Sequence, residues 1–305
     1  MNKRVYGVIG IASVMANWNA DFSGYPKATS DGTVFGSDKA LKYSMKKMWE
    51  EQGEKVVYIK SMKLEKGKLV PRTLKERYEQ LFGKESLKKG SDSAEVLKNL
   101  FSAVDVKNFG ATFAEADNNI SITGAVQIGQ GFNYYEESEA LEQPILSPFR
   151  DPKAEDAKNS TLGTKIVSDE AHYFYPFVIN PKAYQEFVEL GVTEGYTEED
   201  YQKFKKAAVS AATSFATNAK EGCENEFALF VETKENCYLP NLTTYLSFEK
   251  GEKEKIVHLK CGEMFKQMQK EILSVQIYYN TRSIRLDCDI EGAGLYDIVT
   301  QQEIS

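Results

Sequence analysis

Met15 to Trp49, MANWNADFSGYPKATSDGTVFGSDKALKYSMKKMW, is the stretch whose reading decides the fold. An apolar run ends at Met15, and a polar loop rich in Asn, Asp, Gly and Ser follows, with only Trp18, Phe22 and Tyr25 as apolar filling. A basic amphipathic helix closes the unit. Ser37 is a good N-cap, and Asp38 places a negative charge in the first turn, where the helix dipole favours it. Leu41, Met45, Met48 and Trp49 recur with helical spacing and predict one buried stripe. Lys39, Lys42 and Lys46 make a second stripe beside it. Three ammonium groups next to a loop of amide donors suit a phosphate chain. The same spacing suits lysines that only keep a helix face in water, so the residues alone leave both readings open.

The loop reads Asn17-Trp18-Asn19-Ala20-Asp21-Phe22 and the helix opening Phe35-Gly36-Ser37-Asp38-Lys39-Ala40-Leu41-Lys42. These segments resemble the crRNA-binding backbone subunit of type I CRISPR Cascade complexes, most of all the type I-B branch of the repeat-associated protein superfamily. That family carries an N-x-N-G-D-P loop after its first strand and then a V-S-D-x-x-L-K-R helix opening. Asn17, Asn19, Asp21, Ser37, Asp38, Leu41 and Lys42 fit, whereas Ala20 and Phe22 stand where the family has Gly and Pro. The likeness continues through Asn108 to Phe113, Ile122 to Gln127 and Gly163 to Lys165, and fades in the last third.

The resemblance implies an α+β fold, a ferredoxin-like or RRM-like core with large insertions. Residues 1–305 would form one palm, carrying a basic finger at 52–99 and a thumb at 129–168. It implies a guide-RNA-binding protein without cofactor or metal, working in the cytoplasm. The residues it points to are Asn17, Asn19, Lys39, Lys42, Lys46, Gln127, Phe149, Arg150 and Lys165. The partners it implies are crRNA, the target DNA strand, further copies of the chain in a helical filament and other Cascade subunits.

At 305 residues the chain can bury a sizeable core. Its net charge of −7 argues against a generic nucleic-acid binder, but the charge is uneven. Residues 39–98 hold 16 Lys and Arg against 9 Asp and Glu, leaving 22 against 36 elsewhere. An acidic protein can therefore still present a basic groove. Cys223, Cys237, Cys261 and Cys288 include no CxxC pair, and His172 and His258 are the only histidines, so a zinc fold is not expected. Scattered cysteines of this kind suit reduced thiols in a cytosolic protein at least as well as disulfides. Met1 to Ala16 mimics a signal peptide; Gly7, Gly10 and the polar loop that follows argue against that, and the family resemblance implies a first strand. No segment has the roughly 20 apolar residues of a membrane span.

Arg4 to Met15 reads as a central strand, apolar on both faces. Val56 to Ile59 is a short strand signal, Glu65 to Lys68 a turn, and Arg72 to Phe82 a helical patch on an insertion with few apolar residues. Leu100 to Phe113 and Ile120 to Ile128 read as a hairpin turned at Asp117-Asn118-Asn119. Within it, Lys107 to Phe113 weakly echoes the RRM signature. Gly129 to Ser168 breaks the periodicity, with three of the eight prolines at Pro144, Pro148 and Pro152. In the family this place is the thumb, where Phe149 would wedge between bases while Arg150, Lys153 and Lys165 hold phosphates.

His172 to Ile179 reads as the returning strand, with His172 packed rather than ligating. Thr197 to Asp200 opens a second helix with a capping-box start. Strand signals return at Glu226–Glu232, Thr243–Phe248, Lys255–Leu259 and Val275–Tyr279. The whole suggests helix pairs on one face of an antiparallel sheet.

There is no P-loop, no G-x-S-x-G elbow and no dinucleotide fingerprint. One catalytic alternative stands. Related type III subunits cut target RNA with an acid in the loop after the first strand, where this chain has Asp21. A metal-dependent ribonuclease working through Asp21 is thus the competing reading. The simpler one makes Asp21 a turn residue that shapes the loop.

Overall fold

The computed structural model describes residues 1–146, 162–252 and 254–304. The first apolar run is a strand, Lys3–Ala16, in the middle of a nine-stranded sheet. It runs antiparallel to Leu162–Ile179 on one side and to Cys223–Lys234 on the other. Alternate side chains of a strand point to opposite faces. Here Val5, Ile9 and Ile11 enter one apolar core, Tyr6 and Val8 another. Gly7 is required by the packing: a Cβ there would lie 2.0 Å from the Leu229 carbonyl oxygen and 2.4 Å from the Phe177 ring.

Beyond Cys223–Lys234 come Ile272–Tyr279 and then Gly294–Asp297. The far side of Leu162–Ile179 is paired in turn by Ala140–Leu146, Gly131–Asn133 and Val126–Ile128. Phe35–Gly36 adds to the Gly131–Asn133 strand.

Two long helices, Asp38–Glu51 and Glu198–Ser214, pack on each other over the first core. The expected stripe Leu41, Met45, Met48 and Trp49 is buried. The second helix starts with the expected capping box, Thr197 and Asp200 each bonding the other's backbone N–H, and buries Tyr201, Phe204, Ala208, Ala211 and Ala212. The class is α+β. The opposite face of the sheet, which the sequence reading left bare, carries its own layer. Leu246–Lys250, Lys255–Leu259 and Ile284–Cys288 form a three-stranded sheet there, with the short helix Gly262–Gln267.

His172 is packed between these layers, its ring stacked on Phe248 with centroids 4.0 Å apart. Its Nδ1 meets Glu226 at 2.8 Å and its Nε2 meets Glu170 at 3.0 Å. Lys250 and Lys255 of the small sheet reach the same Glu170. Burial opposes the charged imidazole, but Glu226 and Glu170 outweigh it and raise the His172 pKa. Burial would also raise Glu170, yet hydrogen bonds from Lys250, Lys255 and His172 pull it down to about 2.

Several local expectations need correction. Val56 to Ile59 is not a strand. The N–H groups of Val57 and Tyr58 donate to the Asp105 carboxylate at 2.9 and 2.7 Å, so one buried side chain replaces a partner strand. Leu100 to Phe109 is helical, within Ser93–Phe101 and Val104–Phe109, because Val96, Leu100 and Val104 recur every fourth residue and all face the core. The RRM-like echo therefore lies on a helix and its junction with the strand Gly110–Glu115. That strand pairs with Asn118–Thr123 as a separate hairpin turned by Ala116 and Asp117, both at positive φ. Val126–Ile128 leaves the hairpin and joins the main sheet.

Gly129 to Ser168 is more regular than its prolines suggest, since Ala140–Leu146 pairs residue for residue with Leu162–Ser168. The returning strand thus begins at Leu162 rather than His172, and residues 147–161 fall outside the described part. Between residues 52 and 99 the hairpin Met62–Glu65 with Lys68–Pro71 has the expected turn, Lys66 and Gly67 at positive φ. The helix behind it, Leu74–Phe82, buries Tyr78 completely in the main core, so this segment is better anchored than its composition implied. All four cysteines are free thiols. No helix of the described residues is long and apolar enough to cross a membrane.

Candidate nucleic-acid interface

The polar loop from Asn17 to Ser37 is held from beneath by Trp18. Its buried indole N–H donates to the Tyr175 hydroxyl at 2.5 Å, on the long strand Leu162–Ile179. Gly36 makes this possible, because a Cβ there would lie 1.8 Å from that hydroxyl and 2.7 Å from the indole. Gly131 likewise clears the Tyr175 ring, which a Cβ would approach to 2.4 Å.

The two asparagines bond backbone groups, though among the described residues the buried Asn17 Oδ1 has no partner. Asn17 is buried, and its Nδ2 donates to the carbonyls of Gly24 and Ile166 at 2.9 and 3.2 Å. Asn19 accepts the Ser37 N–H through Oδ1 at 2.7 Å, tying the loop to the helix start. Ser37 itself caps the helix by accepting from Ala40 N–H. Asp21 is an Asx-turn residue: its Oδ1 accepts the N–H groups of Ser23 and Tyr25 at 2.8 and 3.0 Å. That explains its presence without catalysis. Among the described residues no group of three His, Cys, Asp or Glu side chains is arranged to hold a metal ion.

The lysine stripe is not uniform. Lys39 is exposed. Lys42 pairs with Asp38 at 2.9 Å and sits 5.3 Å over the Phe109 ring. Lys46 turns inward, donating to the Tyr58 carbonyl at 3.1 Å, with Phe109 and Tyr58 rings both at 5.9 Å. Burial lowers the Lys46 pKa against the pull of Asp105. Phe109 in turn packs on Trp49, so the ring joins the helix core to the lysines. Lys165 lies on the strand Leu162–Ile179 one residue before Ile166, whose carbonyl Asn17 holds, and it pairs with Gln143.

Gln127 lies apart from the loop. It pairs with Val178 on the sheet face of the second core, and its amide donates to the Gly124 carbonyl at 2.7 Å. Phe149 and Arg150, like Lys153, lie outside the described residues.

Sequence reasoning passed over three side chains at this site. Lys27 lies 5.5 Å over the Phe35 ring. Phe22, at the tip of the Asx turn, is fully exposed. Lys220 reaches in from the segment before Cys223–Lys234. Lys27 and Phe22 were visible as a cation and an aromatic in the loop itself, whereas nothing in the sequence linked Lys220 to it.

The family model of CRISPR-associated protein Cas7 matches residues 3–265, which include the first strand, the loop, both long helices and most of the sheet. This chain belongs to the Cas7 family. No curated protein sequence matches it. Among solved structures it is similar to a chain titled "CRISPR RNA-guided surveillance complex, pre-nicking", at 16% identity over 96% of each chain, with a TM-score of 0.52. A second, "CRISPR RNA-guided surveillance complex", is 12% identical over 97% of this chain and 93% of the other, with a TM-score of 0.49. The first likeness covers nearly the whole chain, so the fold it shares runs past residue 265, into the part where the sequence resemblance had faded.

Proposed function

We propose that this Cas7-family chain is a crRNA-binding backbone subunit of a CRISPR surveillance complex, most like the type I-B Cascade branch. It grips the guide by its sugar–phosphate chain and leaves base edges free, so that pairing with the target DNA strand reads the sequence. Copies line up head to tail along the guide, a heterologous contact that gives an open helical assembly, alongside other Cascade subunits. The protein does no chemistry on the nucleic acid and works in the cytoplasm. The observation that carries this reading is the family match over residues 3–265, which contains the whole loop–helix unit.

The palm is a ferredoxin-like, RRM-like core. Supporting this is the order Cys223–Lys234, Lys3–Ala16, Leu162–Ile179, Val126–Ile128, with Asp38–Glu51 and Glu198–Ser214 in the connections. Residues 52–99 form the finger, supported by the exposed Leu64 and Leu69 on its hairpin. Residues 129–168 form the thumb, supported by the paired strands Ala140–Leu146 and Leu162–Ser168. Asn17 and Asn19 shape the RNA-binding loop, Lys39, Lys42 and Lys165 supply charge beside it, and Lys46, turned onto the Tyr58 carbonyl, braces the helix that carries them. Phe149, Arg150 and Gln127 make further contacts along the strand of RNA.

The test is to purify the protein from cells that carry a CRISPR array and to extract what accompanies it. Ribonuclease-sensitive nucleic acid of one discrete length is expected, and its digestion should break the particle into single chains. A protein free of nucleic acid, or one carrying only DNA, would overturn the reading.

A further inference from the structure

Lys220 sits in the turn that leads into Cys223–Lys234, beneath the Asn17–Ser37 loop. Two backbone bonds join turn and loop. Val14 N–H donates to the Gly222 carbonyl at 2.8 Å, and Asn17 N–H donates to the Ala219 carbonyl at 3.0 Å. The Lys220 ammonium donates to the carbonyls of Asn17 and Trp18 at 2.5 and 2.7 Å and lies 5.8 Å from the Trp18 ring. It is half-buried, and among the described residues it makes no ion pair with a carboxylate. Lys3, Lys42, Lys107 and Lys203, by contrast, all reach one.

An ammonium has three donors, and two of them are used. Glu221 and Glu224 flank it in sequence, and Glu224 acts on the neighbouring Cys223, yet among the described residues neither forms an ion pair with Lys220. From the loop it faces two carbonyls and an aromatic ring. From the strand it faces Cys223, whose thiol burial pushes up and which contacts the Ser13 hydroxyl. Taking a cation out of water without a counter-ion is costly.

We propose that Lys220 is both a positioning residue for the Asn17–Trp18 backbone and a phosphate-binding residue. Its two engaged N–H groups set the loop, and its third N–H and unbalanced charge take a backbone phosphate of the RNA lying against that loop. This rests on the RNA-binding reading above. Burial lowers the Lys220 pKa, so its charge is lost at a lower pH than that of an ordinary lysine.

The test uses full-length protein and a labelled single-stranded oligouridylate, with affinity measured against salt and against pH. Each phosphate contact on a single strand contributes about 0.7 to the slope of log K against log salt. Lys220→Met should flatten the slope by about that amount, and Lys220→Arg should keep it. Raising the pH should weaken binding by the parent before it weakens Lys220→Arg. A Lys220→Met slope equal to the parent's, or equal alkaline loss in the parent and Lys220→Arg, overturns the proposal. If Lys220→Met does not fold, the comparison of parent with Lys220→Arg across pH still decides. Failure of all three proteins to bind the oligouridylate would instead overturn the RNA-binding reading, and this one with it.

Discussion

The indole of Trp18 and the hydroxyl of Tyr175, 157 positions apart in sequence, form a buried hydrogen bond that fixes the polar loop to the main sheet. The bond is one of the loop's long-range anchors, beside the Asn17 bond to the Ile166 carbonyl and the Lys220 bonds to the Asn17 and Trp18 carbonyls. Burial without a partner would cost the indole N–H about 1–3 kcal/mol. Tyr175→Phe removes the acceptor and leaves that N–H unpaired. We expect a loss of about 1–3 kcal/mol in urea unfolding, with weaker RNA binding as the loop loosens. Gly36→Ala should be at least as harmful, since its Cβ would overlap the Tyr175 hydroxyl. A Gly36→Ala protein as stable as its parent would show that the loop is not held in this way.

The lysine stripe should divide on testing. Lys39 is exposed, so Lys39→Ala should change stability by no more than about 0.5 kcal/mol while flattening the RNA-binding salt slope by about 0.7. Lys46→Ala should do the reverse. It deprives the Tyr58 carbonyl of a charged donor, a bond of the kind worth about 1.5–3 kcal/mol, and should hardly change the slope. Salt titrations paired with thermal melts would show whether the two effects separate.

Asp21 offers a direct test of catalysis against shape. Asp21→Asn keeps an Oδ1 that can accept from Ser23 and Tyr25, and Asp21→Ala does not. RNA affinity should survive the Asn change and fall with the Ala change. Target RNA should stay intact in Mg²⁺ with the parent and both variants. Cleavage by the parent that both substitutions abolish would make Asp21 a metal ligand.

The His172 cluster ties the small sheet to the main one and gives stability a defined pH dependence. The folded-state His172 pKa is raised, so its contribution is complete below the unfolded value of about 6.5 and fades as pH rises through the raised folded value. Glu170 works in the opposite sense. Its contribution is present above the unfolded value of about 4.3 and is lost as pH falls toward about 2. Urea unfolding across pH should show both flanks, and His172→Gln should remove the alkaline one.

Much of the site's outline was legible in the sequence, because periodicity and capping are local. The buried stripe from Leu41 to Trp49 follows from 3.6-residue spacing, the helix start from Ser37 and Asp38, and the turn at Lys66-Gly67 from its residue types. The central position of Lys3–Ala16 followed from apolar residues on both faces. Tertiary structure decided what local rules do not encode. Val56 to Ile59 has the composition of a strand, but Asp105 captures its N–H groups. Gly129 to Ser168 looks irregular because its partner strand begins beyond residues 147–161. Lys39 and Lys46 are chemically alike in the sequence. One faces solvent and the other the Tyr58 carbonyl because Phe109 and residues 56–59 cover only part of the helix. Lys220 meets the loop more than 200 positions away because two antiparallel strands bring their ends together. A side chain's burial and its partners depend on which segments pack beside it, and only the folded chain sets that.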